Sequence, residues 1–165
     1  MGTPSELMAR LRSVRLLCLD VDGVLTDGNL YWSPGGIWSQ RFSVRDGYGI
    51  KLLQDAGVEV AILSGGDVRS GRDRAVSLGI TRAAFGVADK LAAFKDLIGG
   101  VGVTPAQCAF IGDELVDIPV LQVVGFSATV PDAVDEVRAV AQYVTKRPGG
   151  DGAVREICDL IRKAK

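Results

Sequence analysis

The sequence of 165 residues contains no histidine. This absence excludes Ser-His-Asp hydrolysis, Cys-His nucleophiles, phosphohistidine chemistry and zinc sites built on histidine. Any catalysis therefore has to rely on carboxylates, lysine, arginine, hydroxyl groups and a bound metal ion.

The cysteine-phosphatase motif and the glycine-rich nucleotide-binding motifs are absent too. No cysteine is followed by the spaced arginine of a cysteine-phosphatase loop, and the sequence contains neither GxxxxGK[ST] nor GxGxxG. The chain therefore offers no P-loop and no dinucleotide-binding fingerprint. Because Cys18, Cys108 and Cys158 are odd in number and stand among apolar neighbours, we expect buried free thiols in a reducing cytoplasm.

An excess of charge of either sign and long apolar segments are absent as well. The net charge is −1, so the chain has no electrostatic footprint for nucleic acid or an anionic membrane. No apolar run approaches the roughly 20 residues of a membrane span. The first residues also lack the apolar region of a signal peptide. We expect a cytoplasmic protein that binds neither nucleic acid nor membranes.

Short apolar runs alternate with helical patterns, which is typical of a parallel sheet with helices on both faces. The predicted strands are Val14–Leu19, Val58–Leu63, Ala83–Phe85, Cys108–Ile111, Gly125–Ala128 and Tyr143–Thr145. The predicted helices are Gly47–Ala56, Val68–Leu78, Lys90–Ile98, Leu115–Val123, Asp132–Val140 and Gly152–Ala164, preceded by a short one capped by Thr3 or Ser5. The expected fold is an α/β, Rossmann-like three-layer domain spanning residues 1–165.

One segment, over about residues 28–43, interrupts this alternation. It places two aromatic-rich runs, with Tyr31, Trp32 and Trp38, around a Ser-Pro-Gly-Gly turn, which predicts a protruding β-hairpin. An isolated hairpin is only marginally stable, so its apolar side chains need a surface to cover them. We expect that surface to belong to another subunit.

The stretch LLCLDVDGVLTDG places carboxylates directly after an apolar run that reads as a strand buried on both faces. Asp20 and Asp22 are two residues apart, so an extended backbone directs both carboxylates to one side. Two like charges this close require a cation or a shared proton. An Asp-Gly turn after a strand is common, however, so this motif needs support from the rest of the chain.

Polar residues follow the later predicted strands too. Ser64 and Gly65 follow the second strand, Lys90 begins a helix, and Asp113 follows a later strand with Asp117 one turn further on. Ser64 and Asp113 could be ordinary helix caps and Lys90 a solvated lysine. Their occurrence in this order, at ends of strands where α/β sheets bind ligands, favours a metal-assisted phosphate site.

These elements resemble the motifs of the haloacid dehalogenase superfamily: DVDGVLTDG, the Ser64 strand end, Lys90 and GDELVD. SVRDGYGIKLL and RPGGDGAVREICDLI further resemble one branch, the 3-deoxy-D-manno-octulosonate 8-phosphate phosphatases. The resemblance implies a fold without a separate cap domain. It also implies a homotetramer assembled through the hairpins, in which a neighbouring subunit helps to cover each active site.

The resemblance also implies roles for individual residues. Asp20 would be the nucleophile and Asp22 the general acid and base. Mg²⁺ would be held by the Asp20 carboxylate, the Asp22 backbone carbonyl and Asp113. Ser64 and Lys90 would hold the phosphoryl group. Glu114 and Asp117 would orient Lys90 or metal-bound water.

The residues implied for binding the sugar acid form a second set. They are Ser43, Val44, Arg45, Asp46, Gly47, Lys51, Gly65, Arg74 and Lys90. The chain departs from the branch at three places. Gly66 stands where octulosonate phosphatases usually carry arginine and nononate 9-phosphate phosphatases glutamate, Lys51 stands where arginine is common, and Glu114 replaces a more usual aspartate. The catalytic chemistry tolerates these changes, whereas the choice of sugar depends on them.

Three alternatives remain open on the sequence alone. The first is a phosphatase for a sialic-acid type nononate 9-phosphate. The second is a tetramerisation module associated with a sugar cytidylyltransferase, against which the complete set of catalytic residues argues. The third is a receiver-type signalling protein, disfavoured by the spacing of Asp20 and Asp22.

Overall fold

The centre of the fold is a six-stranded parallel sheet, seen in a computed structural model that describes residues 3–165. The sheet order is β5-β4-β1-β6-β7-β8, and two further strands, β2 and β3, pair with each other. The strands are β1 (Leu16–Leu19), β2 (Tyr31–Trp32), β3 (Trp38–Ser39), β4 (Glu59–Leu63), β5 (Arg82–Ala84), β6 (Cys108–Ile111), β7 (Phe126–Thr129) and β8 (Tyr143–Val144).

Helices connect these strands and cover both faces of the sheet. They are α1 (Pro4–Ser13), α2 (Val44–Asp55), α3 (Arg69–Ser77), α4 (Lys90–Gly99), α5 (Ile118–Leu121), α6 (Asp135–Val140) and α7 (Ala153–Ala164), with short 3₁₀ turns at Pro105–Gln107 and Leu115–Asp117. Within residues 3–165, no helix has the length and hydropathy needed to span a membrane.

The central strand β1 explains why its sequence is apolar without interruption. Leu17 and Leu19 face a core formed with α1, α2, α3 and α7. Leu16 and Cys18 face a second core formed with α4, α5 and α6. Both sides of β1 are therefore buried, as is usual for parallel sheets. The predicted α/β, three-layer fold is confirmed.

Two of the differences between the predicted and the observed helices have clear local reasons. Helix α2 begins at Val44 and not at Gly47, because the Ser43 hydroxyl caps it by accepting the backbone N–H of Asp46. The helix predicted over Leu115–Val123 is instead a 3₁₀ turn followed by the four-residue α5. Pro119 has no backbone N–H, so it fits only within the first turn of an α-helix.

The hairpin of β2 and β3 carries its aromatic side chains on the surface of the chain. Trp32 and Trp38 oppose each other across the strands, with ring centroids 4.7 Å apart in an edge-to-face arrangement. At the base of the hairpin, the Asp27 carboxylate accepts hydrogen bonds from Tyr31 Oη at 2.6 Å and Arg41 Nε at 3.0 Å. The large apolar residues left exposed on this element are Leu30, Tyr31, Trp32, Ile37 and Trp38.

Candidate active site

Three adjacent strands bring acidic and hydroxyl residues to one edge of the sheet. Strand β1 pairs with β4 on one side and β6 on the other. Asp20 follows β1, Ser64 follows β4, and Asp113 follows β6 after a single glycine. This edge is the switch point of the sheet, where open α/β folds bind ligands. A cavity of about 290 Å³ opens there, lined by Asp20, Asp22, Gly23, Gly28, Gly65, Gly66, Lys90, Asp113, Glu114 and Val116.

Lys90 is the one cation among the described residues that line this cavity. Its Nζ atom lies 3.0 Å from Asp20 Oδ1 and 2.6 Å from Asp117 Oδ1. Burial alone lowers the pKa of Lys90, but the Asp20 and Asp117 carboxylates outweigh it and hold the pKa above its ordinary value. Lys90 is thus a permanently charged group fixed beside Asp20.

Asp117 is buried and holds the loop after β6 in place. Its Oδ2 atom accepts the backbone N–H groups of Asp113 at 3.0 Å and Glu114 at 3.1 Å, while Oδ1 accepts Lys90. A Cβ atom at Gly112 would lie 2.6 Å from Asp117 Oδ2, so this approach requires glycine. Every Asp117 oxygen is occupied, which leaves Asp117 in a supporting position.

The remaining carboxylates carry more negative charge than Lys90 neutralises. Burial, and then the charge of Asp117, raises the pKa of Asp20 to about 7. Burial, followed by the charges of Asp20 and Asp117, raises the pKa of Asp113 to about 8. Asp113 Oδ1 is also buried without a hydrogen-bond partner among the described residues. Both observations indicate that this edge of the sheet needs a further cation.

The residues present fit Mg²⁺. Carboxylate oxygens of Asp20, Asp113 and Asp117 lie within 4.8 Å of one another. Because the oxygens of Asp117 are occupied, Asp20 and Asp113 are the available carboxylate ligands, and within residues 3–165 no hydrogen bond reaches the Asp22 carbonyl. Such a set of oxygen donors is what Mg²⁺ prefers. Gly23, with φ +83°, allows the approach, because a Cβ atom there would overlap Asp113 Oδ2.

The loop after β4 presents a hydroxyl and bare backbone. Ser64 is buried, and its Oγ atom accepts the backbone N–H of Gly66 at 3.1 Å. Within residues 3–165 the Ser64 hydroxyl proton has no acceptor, so it is available to a phosphoryl oxygen bound beside this loop. A Cβ atom at Gly66 would lie 2.6 Å from Asp22 Oδ2. A side chain at position 66 would therefore clash with the Asp22 carboxylate in its present position.

The loop that carries Asp22 packs against the segment Arg147–Gly152. The backbone N–H of Gly150 donates to the Val24 carbonyl at 3.0 Å. A Cβ atom at Gly149 would overlap the Gly23 carbonyl. Close contact between the two backbones thus explains the paired glycines of RPGGDG. From the sequence alone, this motif contributes only to the family resemblance.

Comparisons with known proteins agree with this geometry. Residues 86–157 match the family of haloacid dehalogenase-like hydrolases. The 3-deoxy-D-manno-octulosonate 8-phosphate phosphatase KdsC of Escherichia coli (strain B / BL21-DE3) is 44% identical over 161 residues, 98% of this chain and 86% of KdsC. The chain belongs to this phosphatase family.

Solved structures of family members superpose closely on the chain. The phosphatase from Yersinia pestis has a TM-score of 0.93 and 45% identity, with 96% of this chain and 86% of that chain covered. The phosphatase from Moraxella catarrhalis, crystallised with a magnesium ion, a phosphate ion and KDO, has a TM-score of 0.95 and 37% identity, covering 99% and 94%.

Glu114 lines the cavity without an ion pair to Lys90, so its predicted role towards metal-bound water stays a prediction. Its Oε1 atom accepts the backbone N–H of Leu115 at 2.7 Å and caps the short turn that follows. The two carboxylates that contact Lys90 among the described residues are those of Asp20 and Asp117. The orientation of Lys90 therefore depends on Asp117.

Asp46, predicted to bind the sugar, instead holds a helix in place. Its buried carboxylate accepts the backbone N–H of Arg155 at 2.8 Å and of Gly152 at 3.3 Å. These groups belong to the unpaired first turn of α7, so Asp46 caps that helix from a distance in sequence. No local pattern in the sequence indicates this role, since the partners lie more than a hundred residues away.

Of the other predicted sugar-binding residues, Gly65 and Lys90 line the cavity, whereas the rest lie away from it within one chain. Arg74 Nη2 donates to the Ser43 carbonyl at 3.1 Å, and Gly47 leaves the space that its guanidinium fills. Lys51 Nζ donates to the Leu78 carbonyl at 2.7 Å, beside the amino end of β4. Val44 is 83% exposed, and Arg45 lines a separate surface cavity.

We predict that Mg²⁺ raises the melting temperature, and does so more at about pH 8 than at about pH 6, because protons compete for the ligand carboxylates. The raised pKa values of Asp20 and Asp113 set this direction, since both groups hold protons below them. Free Mg²⁺ at 100 times its Kd would add about 2.7 kcal/mol to the free energy of unfolding. Thermal unfolding with Mg²⁺ or EDTA measures the shift.

Asp113→Asn should lose most of this Mg²⁺ effect, whereas Asp132→Asn, at an exposed aspartate, should keep it. An equal effect of Mg²⁺ on Asp113→Asn and the unmodified protein would contradict the assignment of this site.

Proposed function

We propose that the chain hydrolyses 3-deoxy-D-manno-octulosonate 8-phosphate with Mg²⁺ through a phosphoryl group carried on Asp20. The observation that carries this proposal is the position of Asp20, with Lys90 at 3.0 Å and an Asp113 carboxylate oxygen within 4.8 Å. The E. coli relative is a phosphatase for this compound, and the Moraxella catarrhalis structure contains magnesium, phosphate and KDO.

The first step transfers the phosphoryl group to the protein. An Asp20 carboxylate oxygen forms a bond to phosphorus, and the bond between phosphorus and the sugar oxygen breaks with its electron pair on that oxygen. The Asp22 carboxyl gives its proton to the departing sugar oxygen. Asp22 is thereby left as a carboxylate, ready for the second step.

The second step returns the protein to its starting state. A water oxygen bonds to phosphorus as the Asp22 carboxylate takes a proton from it. The bond between phosphorus and the Asp20 oxygen breaks, and its electron pair restores the Asp20 carboxylate. Inorganic phosphate then leaves the cavity.

The surrounding groups stabilise charge on the transferring phosphoryl group. Lys90 supplies a fixed positive charge, and Ser64 and the backbone of Gly65 supply hydrogen-bond donors. Bound Mg²⁺ would neutralise the repulsion between the anionic nucleophile and the phosphate. The divided roles of Asp20 and Asp22 follow from their neighbours, because Lys90 pairs with Asp20.

We further propose that the protein is a homotetramer assembled through the hairpin. Trp32 is 60% exposed, Ile37 61% and Trp38 50%, on an element that packs little against its own sheet. Within residues 3–165 Lys90 is also the one cation that lines the cavity, which leaves none to pair with the carboxylate of a sugar acid. A neighbouring subunit would cover both the apolar side chains of the hairpin and the cavity.

The three buried free thiols are consistent with a cytoplasmic location.

The test of the function is kcat/KM, with Mg²⁺, for octulosonate 8-phosphate, a nononate 9-phosphate and simpler sugar phosphates. We expect the octulosonate ester to be preferred, and Asp20→Asn to release no phosphate while keeping its fold by circular dichroism. Near-normal activity of Asp20→Asn would contradict the nucleophile. Preference for the nononate ester would favour that alternative, and an intact tetramer without any turnover would favour a scaffold.

The test of the assembly is sedimentation. Trp32→Asp combined with Trp38→Asp should convert tetramers to smaller species, because two charges would have to be buried in an apolar interface. The control is Val140→Asp, which adds charge at a half-exposed apolar residue of α6. An unchanged sedimentation coefficient in the double variant would overturn the hairpin interface.

A further inference from the structure

Gln40, at the end of the hairpin, contacts the carboxylate of Asp22. Its Nε2 atom donates to Asp22 Oδ1 at 2.5 Å, and its Oε1 atom accepts the Ser70 hydroxyl at 2.7 Å. A carboxylate can only accept, so the amino end of the Gln40 amide must face Asp22. Ser70 completes the arrangement by donating to the other end of the amide, which fixes its orientation.

Asp22 depends on this contact for its direction. Within residues 3–165, no other hydrogen bond reaches its carboxylate, in contrast to Asp20 and Asp117, which are both held by Lys90. Asp22 is half-buried and follows a strand, so its backbone is fixed while its side chain has space to turn. That space exists because position 66 is glycine, whose missing Cβ would lie 2.6 Å from Asp22 Oδ2.

We propose that Gln40 is a positioning residue that holds the Asp22 carboxylate towards the leaving sugar oxygen, in the space left open by Gly66. This inference rests on the proposed function and deepens it, since it assigns the orientation of the general acid to the hairpin. Gln40 contacts the Oδ1 atom of Asp22, and the Oδ2 atom lies against Gly66.

The contact also connects two parts of the molecule. Ser70 lies in the first turn of α3, directly after the phosphate-binding loop, and a Cβ atom at Gly71 would lie 3.5 Å from Gln40 Oε1. Gln40 therefore bridges the hairpin, α3 and the acid. Displacement of the hairpin would move Gln40, and through it the carboxylate that delivers the proton.

The leaving group provides a readout that a purely structural role would not change. An alkoxide such as a sugar oxygen needs a proton as it departs, whereas p-nitrophenolate leaves without one. We expect Gln40→Ala to lower kcat/KM for the sugar phosphate at least about tenfold, since general acid catalysis contributes about 10²–10⁴. The kcat/KM for p-nitrophenyl phosphate should stay within about twofold. This parameter reflects the steps up to the departure of the leaving group, and p-nitrophenolate departs without a proton from Asp22.

Two more variants isolate the donated hydrogen bond. Gln40→Glu keeps the length and the acceptor for Ser70 but donates nothing to Asp22, so its loss should at least equal that of Gln40→Ala. Ser70→Ala should give a smaller loss of the same kind, because the amide keeps its donor but loses its orienting partner. Gln54→Ala, which makes the same change at a half-buried glutamine of α2, should change neither substrate.

The outcomes separate this inference from the function beneath it. An equal loss for both substrates, or no loss in Gln40→Ala and Gln40→Glu, would overturn the role of Gln40 while leaving the phosphatase assignment in place. If the unmodified protein hydrolysed p-nitrophenyl phosphate but no sugar phosphate, both the proposed function and the role of Gln40 would be overturned. A loss confined to the sugar phosphate supports Gln40 as the residue that positions Asp22.

Discussion

The ion pair between Lys90 and Asp20 is the interaction on which the rest of the site depends. It places a buried ammonium 3.0 Å from the carboxylate at the end of the central strand, and Asp117 anchors the same ammonium at 2.6 Å. A buried charge is tolerable only when paired and hydrogen-bonded. One ammonium cannot neutralise Asp113 as well, so the fold retains a demand for a divalent cation at the point where a phosphate would arrive.

The two aspartates of the first motif are held in different ways, and this difference matches their proposed roles. Asp20 is fixed by the core of the sheet, as suits a group that must attack in line. Asp22 instead accepts a hydrogen bond from Gln40, which lies at the end of a hairpin whose apolar residues are exposed. If both proposals hold, assembly and acid catalysis share one structural element, since the hairpin proposed to meet a neighbouring subunit also carries Gln40.

The sequence predicted the sheet and the placement of Asp20, Ser64, Lys90 and Asp113 well, because apolar strands and polar strand ends are local patterns. Contacts between distant segments were out of its reach. The family resemblance of its motif predicts that Asp46 binds the sugar, whereas in the structure its carboxylate caps α7. Gln40 has no local pattern either: its partners come from the loop after β1 and from α3, and no spacing along the chain reveals them.

The most direct test of the account is the capture of the phosphorylated protein. Asp22→Asn should still accept the phosphoryl group from p-nitrophenyl phosphate, whose leaving group needs no acid, but should hydrolyse it slowly for lack of a base. After acid quenching, mass spectrometry should find one phosphoryl group on the peptide containing Asp20, removable by hydroxylamine as expected for an acyl phosphate. Protein without phosphoryl groups, or a hydroxylamine-resistant phosphate on Ser64, would contradict the central claim.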